Sequence, residues 1–138
     1  MFKIDDAAIQ GVLTIQHGVT AAWVFGSSRD GEIAPGSDLD IGVLYVGRPS
    51  LDELAGLRES LQRALQFDDI DIVVLNGASP ITRFEAVSAR LIFSRSAQEV
   101  AGFVSLTARE YEDSMALLRR GLAWAQEATG GKQHRSKS

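Results

Sequence analysis

Three aspartates lie beside or within apolar segments, where acidic side chains are unusual. Asp38 and Asp40 border the apolar segment 41–46, and Asp71 lies inside the apolar segment 70–75. Residues i and i+2 of a strand point to the same face, so Asp38 and Asp40 would project together from one edge of a sheet. Two unpaired carboxylates that close repel each other, and a hard divalent cation such as Mg²⁺ or Mn²⁺ relieves that repulsion. Turn chemistry also explains Asp38, because aspartate favours loop ends, but it explains Asp40 poorly.

Asp71 strengthens the case for a metal site. An acid in a buried apolar run is costly unless it is paired or binds a metal. If the strand of Asp71 neighbours the strand of Asp40, the three carboxylates form one cluster. Such a cluster holds two Mg²⁺ ions and orients an in-line phosphoryl or nucleotidyl transfer.

A glycine–serine pair, Gly26–Ser27, directly follows the apolar segment 20–25. Glycine lets the backbone approach a ligand closely, and the serine hydroxyl can donate a hydrogen bond. If a helical turn begins here, its free N–H groups suit an anionic phosphate. Alone, the pair is more typical of a simple turn; combined with three aspartates on two strands it is a more specific signal.

The elements that position these residues follow from the apolar pattern. A first helix begins at Asp5 or Asp6 and ends before Gly18, and apolar residues at helical spacing predict further helices over 51–65, 81–88 and 97–128. Short apolar runs predict strands over 20–25, 39–46, 70–75 and 90–93, with mostly turn between 26 and 38. This order predicts one small α/β domain over 1–96, a C-terminal helical extension over 97–128 and a disordered basic tail over 129–138.

The length and composition of the chain exclude several classes of function. The chain has 138 residues, 45% of them apolar, with 18 acidic and 14 basic side chains and no cysteine. One domain's worth of chain with an acidic balance disfavours a direct nucleic-acid surface, and the lack of cysteine excludes disulfides and thiolate metal sites. Two acids occupy the place where a signal peptide has its apolar run, and no apolar stretch is long enough to span a membrane. We therefore expect a soluble, cytoplasmic protein.

The spacing of these residues resembles a known family. Gly26–Ser27, ten residues, then Asp38–Leu39–Asp40 resembles the Gly-Ser-x10-Asp-x-Asp motif of the DNA polymerase β-like nucleotidyltransferase superfamily. Asp71 stands where that superfamily keeps its third carboxylate, on the next strand after a helix. Residues 70–96 and the long helix after them further resemble the MntA-type minimal nucleotidyltransferase antitoxins, which are encoded beside HEPN-domain toxins. The resemblance covers residues 5–125 and implies a small mixed sheet flanked by helices.

The resemblance also implies an activity. The nucleotide-binding residues would be Gly26, Ser27, Arg29 and Ser37, with the first two at the β- and γ-phosphates of ATP. The ligands of two Mg²⁺ ions would be Asp38, Asp40 and Asp71. Asp71 would also help to activate the attacking hydroxyl, as metal ligand or base. In the antitoxin branch that hydroxyl belongs to a tyrosine of the HEPN toxin, and AMP transfer to it blocks the toxin's RNase activity.

One departure from the family pattern leaves alternatives open. Many relatives read Gly-Ser-x-Ala-Arg-Gly, whereas here Asp30 holds the arginine position and Arg29 lies one place earlier. Arg29 would have to replace that arginine, and Asp30 adds repulsion to a triphosphate. The alternatives are an antitoxin that acts by binding alone and a small-molecule nucleotidyltransferase. In the C-terminal helix we expect residues 100–111 to pack on the sheet, while residues 115–124 either pack too or form an interface, in a homo- or hetero-oligomer.

Overall fold

The computed structural model describes residues 2–28 and 30–132, with only the helical backbone given for 123–132. The strands are β1 (Phe2–Lys3), β2 (Val19–Phe25), β3 (Glu32–Ile33), β4 (Leu39–Tyr45), β5 (Ile70–Val74) and β6 (Arg90–Ser94). The helices are α1 (Asp6–Thr14), α2 (Leu51–Leu65), α3 (Pro80–Val87) and α4 (Ala97–Lys132). Short 3-10 turns occupy Gly26–Ser28 and Leu75–Gly77.

Local sequence signals explain where three of the helices begin. The side chain of Asp5 accepts a hydrogen bond from the backbone of Ala8 and caps α1. Ser50 and Glu53 form a reciprocal capping box at the start of α2. Ser79 caps α3, whose first residue is a proline. These ends confirm the helices expected from the sequence.

The main sheet has four strands in the order β5-β4-β2-β6. β2 pairs antiparallel with β4 and with β6, whereas β4 and β5 are parallel. Parallel neighbours need a crossover, and α2 supplies it. The expected mixed sheet flanked by helices is confirmed. The register pairs Asp40 with Asp71, so the strands of these two aspartates are neighbours, as the metal hypothesis required.

The two faces of the sheet carry different helices. Alternate residues of β4, among them Leu39 and Ile41, pack in a core with buried residues of α1 and α2 such as Leu13 and Leu57. The opposite face holds a smaller cluster around Trp23, packed against α3 and the first half of α4. Because side chains alternate along a strand, Asp40 lies on the face covered by α3 and α4.

The C-terminal helix is confirmed, but it differs from the expectation in its length. It continues past the expected end near 128, through Gly130 and Gly131, to Lys132. The rest of the predicted tail, 133–138, lies outside the described residues. None of the described helices is long and apolar enough to cross a membrane.

The two halves of α4 have different surroundings. Val100, Phe103 and Val104 pack against the sheet, as expected for the first half. Further along, three leucines have exposed side chains, namely Leu117, Leu118 and Leu122.

The described residues of the segment 26–38 form more regular structure than expected. It contains a 3-10 turn and the strand β3, which pairs antiparallel with β1. Neither β1 nor β3 was predicted, because two residues are too few to show a period.

Candidate active site

Asp40 is the residue around which the candidate site is built. It is the second residue of β4, paired with Phe25 of β2 on one side and with Asp71 of β5 on the other. Strands that pair in a sheet lie about 4.8 Å apart, so the backbones of Asp40 and Asp71 are direct neighbours. Asp38 lies two residues before Asp40, just ahead of β4, and is close enough for its charge to raise the pKa of Asp40. The fold brings the three predicted carboxylates to one end of the sheet.

The backbone of Gly26 lies very close to the carboxylate of Asp40. Its φ of +74° lies in the left-handed region that favours glycine. A Cβ atom at this position would lie 2.3 Å from Oδ2 of Asp40, well inside van der Waals contact. Only glycine therefore lets the turn after β2 and the carboxylate on β4 come this close.

The electrostatics of Asp40 reflect this crowding. Its pKa is raised above the ordinary value of 3.8, first by burial and then by the negative charges of Asp71 and Asp38. Burial disfavours the ionised carboxylate, and the neighbouring charges add repulsion. A cation held among these oxygens would oppose both effects.

The loop between β2 and β4 is tied to the first aspartate. Ser28 is fully buried, and its hydroxyl donates to the backbone carbonyl of Asp38 at 3.1 Å. Sequence reasoning missed this role of Ser28, although its place as the second serine after Gly26 was a signal. The bond fixes the turn that begins at Gly26 against the start of β4.

The other predicted phosphate-binding residues lie along this loop. Ser27 is exposed within the 3-10 turn, and Ser37 is half-buried shortly before β4. Arg29 lies outside the described residues. Asp30 is exposed, and its side chain accepts a hydrogen bond from the backbone of Glu32 at 3.3 Å. This hydrogen bond stabilises the local turn.

A crevice opens beside Asp40, between the end of the sheet and helices α3 and α4. Its cavity volume is about 610 Å³, within the range of about 300–1,000 Å³ typical of small-molecule sites. We call it the aromatic crevice, because Phe84 and Tyr111 stack in its wall with ring centroids 4.0 Å apart and planes 12° apart. Gly26, Asp40 and Glu85 also line it. Tyr111 was expected only to pack and Phe84 was not singled out, because nothing in the sequence shows that α3 and α4 bring them together beside Asp40.

Asp38 and Asp71 line a second, more polar depression of about 400 Å³. Asp68, Asp69 and Arg58 are also part of its lining. Asp71 is exposed here, whereas Asp40 is half-buried. The carboxylates therefore border two depressions at one end of the sheet.

The donor set fits a hard cation, although the side chains are not gathered around one point. Among the described residues, no three acidic or histidine side chains converge closely enough to form a ready metal cluster. All three aspartates nevertheless supply oxygen ligands, and Asp40 is electrostatically coupled to the other two.

The chain belongs to the family described as Polymerase beta, Nucleotidyltransferase, which matches residues 7–98 and hence more than half of the chain. The match spans the turn at Gly26 and all three aspartates. A comparison with curated proteins gives no significant match.

Solved structures of toxin–antitoxin complexes share the fold. A chain of a toxin–antitoxin complex with AMP-PNP superposes with a TM-score of 0.74 at 22% identity, covering 89% of this chain and 99% of that chain. A mutant MntA–HpeT complex gives a TM-score of 0.73 at 20% identity, with coverage of 89% and 99%. A complex of the tri-AMPylated Shewanella oneidensis HEPN toxin with its MNT antitoxin gives 0.68 at 21% identity, with coverage of 88% and 95%. The fold expected from the resemblance is thereby confirmed.

Proposed function

We propose that this protein is the antitoxin of a HEPN/MNT pair and transfers AMP from ATP to a tyrosine hydroxyl of its HEPN toxin, in a Mg²⁺-dependent reaction. The observation that carries the proposal is the contact of Gly26 with Asp40 beside the paired Asp71. The family supports nucleotidyl transfer. The similar solved complexes, one with an AMPylated toxin and one with AMP-PNP, support the partner and the nucleotide.

Asp38, Asp40 and Asp71 would hold the metal. Carboxylate oxygens are the ligands that Mg²⁺ prefers, and two such ions are typical of phosphoryl and nucleotidyl transfer. When bound, Mg²⁺ supplies positive charge that offsets the carboxylates and attracts the triphosphate.

Other residues of this chain would bind the phosphates and accept the proton of the attacking hydroxyl. Gly26 and Ser27 present the 3-10 turn to the β- and γ-phosphates, with Arg29 and Ser37 as further contacts. Asp71 is exposed, so it can meet a hydroxyl on a partner and accept its proton. The tyrosine oxygen forms a bond to the α-phosphorus while the bond from that phosphorus to the bridging oxygen breaks. Pyrophosphate leaves with the electron pair, and the toxin carries AMP as a phosphodiester.

The second half of α4 offers a surface for the toxin. Leu117, Leu118 and Leu122 are exposed by half or more. Large apolar side chains grouped on one helix are typical of protein interfaces. We assign this stripe to contact with the toxin rather than to the chemistry, because it lies on α4 well beyond Tyr111.

The test mixes the protein with its toxin partner, Mg²⁺ and ATP labelled on the α-phosphate. We expect label on the toxin with the wild-type protein and none with Asp38→Ala or Asp40→Ala. Asp69→Ala is the matched control, because it removes the same charge from the same end of the sheet. Retained label in Asp40→Ala would contradict the assigned role of that residue.

Two results would favour the alternatives. Neutralisation of the toxin that survives both substitutions, with no AMP on the toxin, would indicate an antitoxin that acts by binding. Label that appears only on an added small-molecule alcohol, such as an aminoglycoside, would indicate a small-molecule nucleotidyltransferase.

A further inference from the structure

The lining of the aromatic crevice is acidic and aromatic, which differs from the lining expected of a phosphate-binding site. Among the described residues, its lining contains two carboxylates, Asp40 and Glu85, and no cationic side chain. Glu85, which is not among the proposed metal ligands, would repel a phosphate group. The walls of the crevice, which include Ile81, Phe84 and Tyr111, suit a flat and uncharged group.

The crevice is continuous with the place where the phosphates would lie. Gly26 belongs both to its lining and to the 3-10 turn of the loop after β2. A ligand whose phosphates contact Ser27 could therefore extend its uncharged part directly into the crevice. A nucleotide has this shape, with a charged triphosphate at one end and a planar, neutral base at the other.

The tyrosine of the toxin would approach from the second depression and not through the aromatic crevice. Asp71, the proposed base, lines the second depression and is not part of the crevice lining. A hydroxyl that gives its proton to Asp71 must approach from that side. The crevice is thus left for the nucleoside of the nucleotide rather than for the tyrosine of the toxin.

We propose that the aromatic crevice binds the nucleobase and that Glu85 selects bases with an exocyclic amino group. The base would stack on the Phe84–Tyr111 pair. The Glu85 carboxylate only accepts hydrogen bonds, so it favours the amino groups of adenine, guanine and cytosine over uracil, whose N3–H donor lies between two repelling carbonyl oxygens. This inference rests on the proposed function, because it names the part of the nucleotide substrate that this site recognises.

The experiment measures equilibrium binding of ATP, GTP, CTP and UTP to the full-length protein with Mg²⁺, by calorimetry. Phe84→Ala should weaken all four by about tenfold or more, since stacking on an aromatic ring is sequence-tolerant. Glu85→Gln should reduce the preference for ATP over UTP by about tenfold, because an amide can pair with the uracil carbonyl. Glu112→Gln is the matched control, as Glu112 is an exposed acid on α4 outside the crevice lining.

The outcomes separate the two proposals. Nucleotide binding that is unchanged in affinity and selectivity by Phe84→Ala and Glu85→Gln would overturn the crevice assignment and leave the proposed transfer standing. A wild-type protein that binds none of the four nucleotides would overturn both. If Phe84→Ala does not fold, Glu85→Gln still decides, because it changes a surface side chain without removing volume.

Discussion

Replacing Gly26 with alanine tests the link between the loop and the acidic cluster. The new Cβ would lie 2.3 Å from Oδ2 of Asp40, while Cγ and Cβ of Asp40 would lie at 3.3 and 3.6 Å. Ordinary contact requires about 3.4 Å or more, so the Oδ2 atom must move by about 1 Å. The moving atom is the end of a flexible side chain, so the carboxylate rotates away while the backbone stays in place.

The chain offers a matched control in Gly36. Its φ is +81°, close to the +74° of Gly26, but an added Cβ there meets nothing within 4 Å. Both alanine variants should lose roughly 1–2 kcal/mol of stability, because a side chain in the left-handed region is strained. The difference between the two variants isolates the contact with Asp40.

We expect similar unfolding free energies for the two variants and very different activities. A reacting group displaced by about 1 Å can cost on the order of 10²-fold in rate. Gly26→Ala should therefore transfer AMP to the toxin about a hundredfold more slowly than Gly36→Ala. Urea unfolding followed by circular dichroism and a single-turnover transfer assay measure the two quantities.

Two results would refute this reasoning. Equal transfer rates in Gly26→Ala and Gly36→Ala would show that the position of the Asp40 carboxylate does not control the chemistry. A stability loss for Gly26→Ala that greatly exceeds that of Gly36→Ala would show that Asp40 cannot rotate away. An additional measurement in the Asp40→Ala background should then find no excess loss, since the contacting atom is absent.

Two further predictions concern stability. Because its pKa is raised, the carboxyl group of Asp40 holds its proton more tightly in the folded protein than in the unfolded chain. Without Mg²⁺, the stability of the fold should therefore fall as the pH rises from the ordinary carboxyl range through the raised pKa. Asp40→Asn should accordingly raise the melting temperature in EDTA at pH 7, and the gain should vanish at acidic pH; a variant less stable than wild type at pH 7 would contradict the assigned repulsion. Arg95 donates to the backbone carbonyls of Leu13, Thr14 and Gln16 near the end of α1 and to that of Val19, at 2.9–3.2 Å. Arg95→Met should cost roughly 1–3 kcal/mol in urea unfolding, because charged donors to backbone carbonyls are among the stronger hydrogen bonds; the control Arg63→Met removes only an exposed i,i+4 pair and should cost at most about 0.5 kcal/mol.

The placement of the aspartates could be predicted because it depends on local pattern. The apolar runs around Asp40 and Asp71 predicted two strands, and the intervening leucine stripe predicted the helix that lets those strands run parallel. Parallel neighbours in register then bring the two carboxylates side by side. The same pattern left out β1 and β3, whose two residues each give no period.

The aromatic crevice could not be predicted, because it depends on how two helices cross. Phe84 lies on α3 and Tyr111 on α4, and each looks like an ordinary packing residue in its own helix. Arg83 helps to fix the crossing, since it donates to the carbonyl of Leu75 at 2.8 Å and to Glu110 on α4 at 3.0 Å. These contacts join residues from three elements, and no single-helix period predicts them.

The crowding of charge and backbone at one end of the sheet indicates where the site lies. The helices follow local rules, with side-chain caps on α1, α2 and α3. At that end, a half-buried Asp40 has two acidic neighbours, and Gly26 adopts a positive φ against it. Proteins tend to break local rules where function requires it. Burial and the charges of Asp71 and Asp38 disfavour the ionised carboxylate of Asp40, and the cation that the proposed reaction requires would oppose these effects.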